Sequence, residues 1–123
     1  MSTVLARTAD DFLPLRPVVF QVLLSLADGE RHGYAIMQDI AERENARVRL
    51  EPGNLYRHLK FMLDEALIEE SDRRPANGQD DERRRYYHIT RLGRQVALAE
   101  TARLEGLARD ARTRLVQRGQ GRS

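Results

Sequence analysis

Tyr56, Arg57 and Lys60, placed just after Pro52-Gly53-Asn54, are the residues best equipped to do chemistry in this chain. A phenol, a guanidinium and an ammonium at this spacing offer donors suited to phosphate oxygens and to the acceptor edges of bases. Pro-Gly ends a loop and starts a helix. A helix start adds free backbone N–H groups and the positive end of a dipole, which together suit an anion. The competing reading is an ordinary helix start with a solvated polar face. A second basic group follows at Arg73, Arg74, Arg83, Arg84 and Arg85, interrupted by Asp80, Asp81 and Glu82. These arginines suit a nucleic-acid backbone or minor groove; otherwise they belong to a solvated hairpin whose charges cancel. The candidate nucleic-acid contacts are therefore Asn54, Tyr56, Arg57, Lys60, Arg73, Arg74, Arg84 and Arg85.

The net charge of +2 is too small for a polybasic mass, so any such surface must come from local clustering. Lys60 is the only lysine, and arginine carries the remaining positive charge. Arginine pairs bidentately with phosphates and guanine edges, although a G- and C-rich genome explains the bias equally well. The absence of cysteine removes disulfides, thiolates and cysteine-based zinc sites. His32, His58 and His88 lack metal-ligand spacing, and Asp39, Glu42 and Glu44 read as a solvated helix face. No catalytic grouping, metal or cofactor is expected. Residues 1–16 lack an apolar signal core and no run reaches membrane-spanning length, so a cytoplasmic protein is expected.

The elements that must position these residues can be read in order. Residues 1–13 read as a flexible polar leader. Pro17 suits the first turn of a buried helix that runs through Val18–Ala27 and stops at Asp28-Gly29. A turn over 28–32 leads to a second helix, opened by His32-Gly33-Tyr34 with Tyr34 half-buried, in which Ile36, Met37 and Ile40 share a face. Val48-Arg49-Leu50 alternates as a short strand. A third helix over 52–66 buries Leu55, Leu59, Met62, Leu63 and Ala66. Leu67–Glu70 and Arg84–Thr90 pair as strands around a long tip containing Pro75 and Asn77-Gly78. Of Tyr86 and Tyr87, one faces the core and the other faces out.

Thr90 is the expected N-cap of a last helix ending near 117. Ala97, Thr101, Leu104, Ala108, Ala111 and Leu115 recur at alternating intervals of four and three, a coiled-coil type seam of mostly small residues. Such a helix is expected to pack on a second copy of the chain; the alternative folds it back on its own domain. The reading is mainly α with a small antiparallel β wing. Its parts are a leader over 1–13, a winged helix-turn-helix over 14–90, a dimerisation helix over 91–118 and a disordered tail over 119–123.

These residues together resemble the PadR family of bacterial transcriptional regulators. The resemblance rests on His32-Gly33-Tyr34, Pro52-Gly53-Asn54-Leu55-Tyr56-Arg57-His58-Leu59, Glu65-Ala66-Leu67-Ile68, Arg84-Arg85-Tyr86-Tyr87, and Ile89-Thr90 with Gly93, over roughly residues 18–100. It implies a homodimeric regulator, usually a repressor, on near-palindromic double-stranded operator DNA, released in many members by a small aromatic effector or another signal. The chain departs from the family pattern in places. Small hydroxyl residues are usual where Glu51 and Asn54 sit, glycine is usual where Ala66 sits, and there is no tryptophan for a stacked effector pocket. The alternative function is a winged-helix protein-interaction module that has lost DNA binding, a reading to which Glu51 and the acidic wing tip lend some weight.

Overall fold

The computed structural model describes residues 7–45, 47, 50–71 and 85–121, with only the backbone for 117–121. A 3-10 turn, Ala9–Phe12, precedes helix α1, Pro17–Ser25. Strand β1, Arg31–His32, runs directly into helix α2, Gly33–Arg43, and helix α3 spans Pro52–Asp64. Strands β2, Ile68–Glu70, and β3, Tyr86–Ile89, form the base of the wing, and helix α4 is Arg91–Gly121. The sheet is antiparallel with β3 in the middle, in the order β1-β3-β2.

One core holds these elements together. Val19, Val22 and Leu23 of α1, with Leu26 just past its end, meet Ile36 and Ile40 of α2 and Leu55, Leu59 and Met62 of α3. Leu67, Ile68, Tyr87 and Val96 close it from the wing and α4. The i, i+4, i+7 spacing of the α3 residues puts them on one stripe, leaving Tyr56, Arg57 and Lys60 exposed. Polar groups also tie α1 to α2. Arg43 donates to the Gln21 side chain at 2.8 Å, to its carbonyl at 2.8 Å, to Ser25 Oγ at 3.2 Å and to Asp39 at 2.7 Å, while Gln21 also bonds Glu44. Burial raises the Asp39 carboxyl pKa, but the Ser25 and Arg43 hydrogen bonds and the charges of Arg43 and Arg31 outweigh it and hold it below its ordinary value. Asp39 and Glu44 thus bridge two helices; the solvated face expected for them is not their role.

Several sequence expectations are revised. The third strand lies at Arg31–His32, in the stretch read as a turn, where Arg31 Nε donates to the Ser25 carbonyl at 2.7 Å and the backbone pairs with Tyr86 and Tyr87. Two residues cannot show alternation, so pattern could not reveal it. Leu50 lies outside any strand; Val48 and Arg49 are outside the described residues, as is the wing tip. The leader contains an ordered part: Asp11 accepts from the Thr8 N–H at 2.8 Å, Phe12 is buried, and Arg7 pairs with Glu65 at 2.7 Å. Tyr34 is exposed, because at the start of α2 it points away from the Ile36–Ile40 face. The α4 backbone runs to Gly121, past the expected end.

Ala66 is exposed and caps α3 instead of extending its buried face. Its φ is +61°, and the helix ends in a Schellman turn: the Ala66 N–H donates to the Leu63 carbonyl at 3.1 Å and the Leu67 N–H to the Met62 carbonyl at 2.9 Å. Buried Met62 and Leu67 supply the hydrophobic contact of that motif. The turn is bound to the start of α4. Thr90 Oγ1 donates to the Ala66 carbonyl at 2.6 Å, lies 3.0 Å from the Leu67 carbonyl, and accepts from the Gly93 N–H at 2.9 Å as the helix N-cap. A Cβ on Gly93 would lie 2.1 Å from the Leu67 carbonyl oxygen, so only glycine admits this approach.

Two substitutions test this junction by denaturant unfolding. Ala66→Gly relieves the left-handed strain and should stabilise the protein by about 1 kcal/mol. Gly93→Ala forces backbone apart and should cost about 3 kcal/mol. Equal stability of all three proteins would contradict the assigned roles of both positions.

Candidate nucleic-acid interface

The exposed surface of α3 divides into two sides. On one, Tyr56 lies across the start of α2: a Cβ built on Gly33 would sit 2.7 Å from the Tyr56 hydroxyl. Tyr87 is close as well. Burial first, then Glu70 and Tyr56, push its hydroxyl pKa above the ordinary value, with Arg85 opposing. Tyr56 therefore joins α2, α3 and the wing base while keeping 39% of its surface exposed. Exposed Tyr34 follows Gly33 directly. Lys60 lies one turn further on, between the directions of Tyr56 and Arg57, and its ammonium reaches Asp64 only at 3.3 Å between two highly exposed side chains, so its loose pairing is worth little.

The other side faces the start of α1. Arg57 donates to Asn54 Oδ1 at 2.9 Å, and His58 Nδ1 hydrogen-bonds the Asn54 carbonyl at 2.8 Å. Because a carbonyl only accepts, Nδ1 carries the proton. Arg16 lies across from them, its guanidinium 5.7 Å from the Phe61 ring centre. Arg16, Asn54, Arg57, His58 and Phe61 line an open hollow of about 350 Å³. Arg57 thus works beside Asn54 and Tyr56 beside Gly33, about 100° apart around the helix, and Lys60 lies one turn further on, between their two directions. Arg16 escaped sequence reasoning, and its one available signal was its place before Pro17, as N-cap residue of α1.

The helix start itself is open. Glu51 is the N-cap residue of α3 but its side chain makes no capping hydrogen bond, and a Cβ on Gly53 would meet nothing within 4 Å. An anion can approach those N–H groups closely. Glu51 is exposed beside them.

At the wing base Arg85 lies 3.4 Å from Glu70 and His88 3.1 Å from Glu69. Tyr87 faces the core, and Tyr86 makes an edge contact with His32 whose ring centres are 5.4 Å apart. His32 Nδ1 accepts from the Ala35 N–H at 3.2 Å, capping α2. Arg73, Arg74 and Arg84 lie outside the described residues. No group of His, Cys, Asp and Glu among the described residues could hold a metal ion, and no helix of those residues is long and apolar enough to cross a membrane.

The expected dimerisation residues change environment along α4. At about 1.5 Å per residue, its 31 residues make a rod roughly 46 Å long. Ala97 and Thr101 are half-buried and Leu104 is partly exposed, whereas Ala108, Ala111 and Leu115 are fully exposed. Every side chain from Leu107 to Val116 is exposed. The first half of α4 is clamped to its own domain. Glu100, 3% exposed, receives a bidentate pair from Arg103 at 2.7 and 2.8 Å and the Leu15 N–H at 3.4 Å, and Arg94 donates to the Ala27 carbonyl at 3.2 Å. Sequence reasoning missed Glu100, because a charged residue inside a polar helix carries no sign of burial.

An α2–α3 pair in which α3 presents its polar face, followed by a β wing and a long helix, defines a winged-helix regulator. The chain belongs to the transcriptional regulator PadR-like family, whose model matches residues 22–99; members of this family are transcription regulators, not enzymes. The fold is shared with a PadR-like transcriptional regulator from Bacillus cereus, at 22% identity over 80% of this chain and 90% of that one, TM-score 0.67. A PadR family regulator from Clostridium difficile matches at 22% identity over 80% and 97%, TM-score 0.65. Bacillus subtilis PadR in complex with operator DNA matches at 25% identity, covering 68% of this chain and 46% of that one, TM-score 0.59. No curated protein matches the chain.

Glu100 gives a pH prediction. The Arg103 hydrogen bonds are the largest influence on its carboxyl; burial opposes them, and the Leu15 N–H and the Arg103 charge assist, leaving the pKa below the ordinary glutamate value. A carboxyl depressed by folding stabilises above its unfolded pKa, and that stability is lost as pH falls through the folded value. Glu100→Gln should therefore be less stable than the parent at about pH 7, with the gap narrowing toward about pH 3. Urea unfolding at both pH values checks this; a gap that does not change with pH would refute the role given to its charge.

Proposed function

We propose that the chain is a homodimeric, sequence-specific DNA-binding transcriptional regulator of the cytoplasm, acting as a repressor. The observation that carries the reading is the first half of α3. It stands exposed with an open N-terminus, Tyr56 on one side, Asn54 and Arg57 on the other, and Lys60 between them one turn on. A helix of this kind enters a major groove while flanking cations fix it on the backbone. Arg85 at the wing base would add a backbone contact, and Arg73, Arg74 and Arg84 belong to the same proposed wing surface. The relative from Bacillus subtilis, solved with operator DNA, supports the class of partner.

The dimer reading rests on the outer half of α4. Leu107 at 57%, Leu115 at 70% and Val116 at 50% exposed are costly to leave in water. The stripe from Ala97 through Thr101, Leu104, Ala108 and Ala111 to Leu115 fits a second copy of the same helix. Two copies would set their α3 helices about 34 Å apart, one turn of duplex, on a near-palindromic operator. A small aromatic effector would act between the α4 helices and α1, where it can alter that separation.

Two measurements test the reading. Retardation of the duplex upstream of the protein's own gene should weaken steeply with salt, and Tyr56→Ala and Lys60→Ala should each cost about 1–3 kcal/mol of binding while remaining folded. A protein that retains no duplex at low salt would favour the protein-interaction alternative. In sedimentation, the parent should run as a dimer and Ala108→Glu as a folded monomer; a monomeric parent would sink the dimer.

A further inference from the structure

The hollow between the start of α1 and the flank of α3 has the chemistry of an oxyanion site. Its walls bring together two guanidiniums, from Arg16 and Arg57, with the side chains of Asn54 and His58 and the ring of Phe61. Neither arginine is in an ion pair among the described residues. Arg57 contacts Asn54 Oδ1, and Arg16 lies over the face of Phe61, which holds the guanidinium without neutralising it, while bordering a second, smaller hollow with Arg7 and Asp11. Two guanidiniums with no ion pair among the described residues, beside an open volume of about 350 Å³, leave room for a group the size of a phosphate.

The position of the hollow selects the source of that phosphate. It lies on the α1 side of α3, away from Tyr56, whose hydroxyl reaches the start of α2. A helix lying in a groove has a phosphate strand along each of its flanks. Tyr56 takes one flank, Lys60 lies between, and the Arg16–Arg57 hollow takes the other. We propose that this hollow seats a backbone phosphodiester of the bound duplex, with Arg16, from outside the helix-turn-helix, and Arg57 as its two clamps. This rests on the DNA-binding reading above and deepens it: Arg57 is assigned to the backbone, and Arg16 becomes a binding residue. The two clamps would fix the depth and tilt of α3 without reading sequence.

The test compares the full-length parent with Arg16→Gln for binding to the upstream duplex and to a scrambled duplex, each over a range of salt. Circular dichroism melting checks that both proteins are folded. Arg16→Gln should weaken both duplexes by the same several-fold factor, keep their affinity ratio, and lower the log–log salt slope by about 0.9 for each phosphate lost. Arg57→Gln should behave alike. If the parent binds with a steep salt slope but Arg16→Gln matches it in affinity and slope, the hollow is not a backbone site and the proposal fails alone. A variant that loses the upstream duplex selectively would overturn it in favour of base reading. If the parent binds neither duplex, the DNA-binding reading itself fails. In a further arm, inorganic phosphate is titrated without DNA and followed by the arginine Nε resonances; binding there, with DNA affinity unchanged in Arg16→Gln, would assign the hollow to a free phosphorylated compound and overturn the proposal.

Discussion

The hydroxyl of Thr90 is the constraint on which the arrangement turns. One oxygen caps α4 through Gly93, donates to the carbonyl of Ala66 that ends α3, and sits against Leu67, where β2 is about to begin. The end of the exposed helix, the root of the wing and the start of the long helix are thus fixed within one hydrogen-bonded turn. The backbone contact between Gly93 and Leu67 removes the remaining slack, because no side chain separates them. Any rotation of α4 must therefore move α3 and the wing as well. In a dimer built on α4, this junction is the mechanical link between subunit geometry and the spacing of the two reading surfaces.

A second clamp closes the other end. Glu100, Arg103 and Arg94 tie α4 to Leu15 and to the end of α1, and Arg7 reaches Glu65 at the end of α3. The N-terminal segment is thereby part of the scaffold, and Arg16, at its junction with α1, is held beside α3. The four contacts that Arg43 makes within α1 and α2 do similar work for the helix pair that carries α3. Charged residues here locate elements relative to each other, while the apolar core supplies the cohesion.

The sequence made the helices legible because their apolar residues recur at helical spacing over many turns: Leu55, Leu59 and Met62 in α3, Ile36 and Ile40 in α2. The family motifs identified the wing order from Arg85-Tyr86-Tyr87 and Thr90 with Gly93. What escaped was local or long-range. Ala66 continues the α3 pattern, so periodicity placed it inside; only its backbone angle reveals a cap, where the family's usual glycine was a hint. Arg31–His32 is too short to carry a strand pattern. Phe12, Leu15 and Glu100 become buried through contacts between distant parts of the chain, which no window of sequence contains. The division of α3 was hidden for a related reason: Tyr56 and Arg57 are adjacent in sequence but differ by about 100° around the axis. Their neighbours, Gly33 for one and Arg16 for the other, come from different helices.

In the proposed complex, duplex DNA meets the protein along α3, with Arg16 on one flank and the wing base on the other. The most direct measurement is a map of backbone amide resonances in the free protein and in its complex with duplex. The changes should concentrate at Arg16, Gly53 through Lys60, and Arg85, and leave Leu107 through Val116 unchanged. Changes confined to α4, or absent at Gly53 through Lys60, would contradict it.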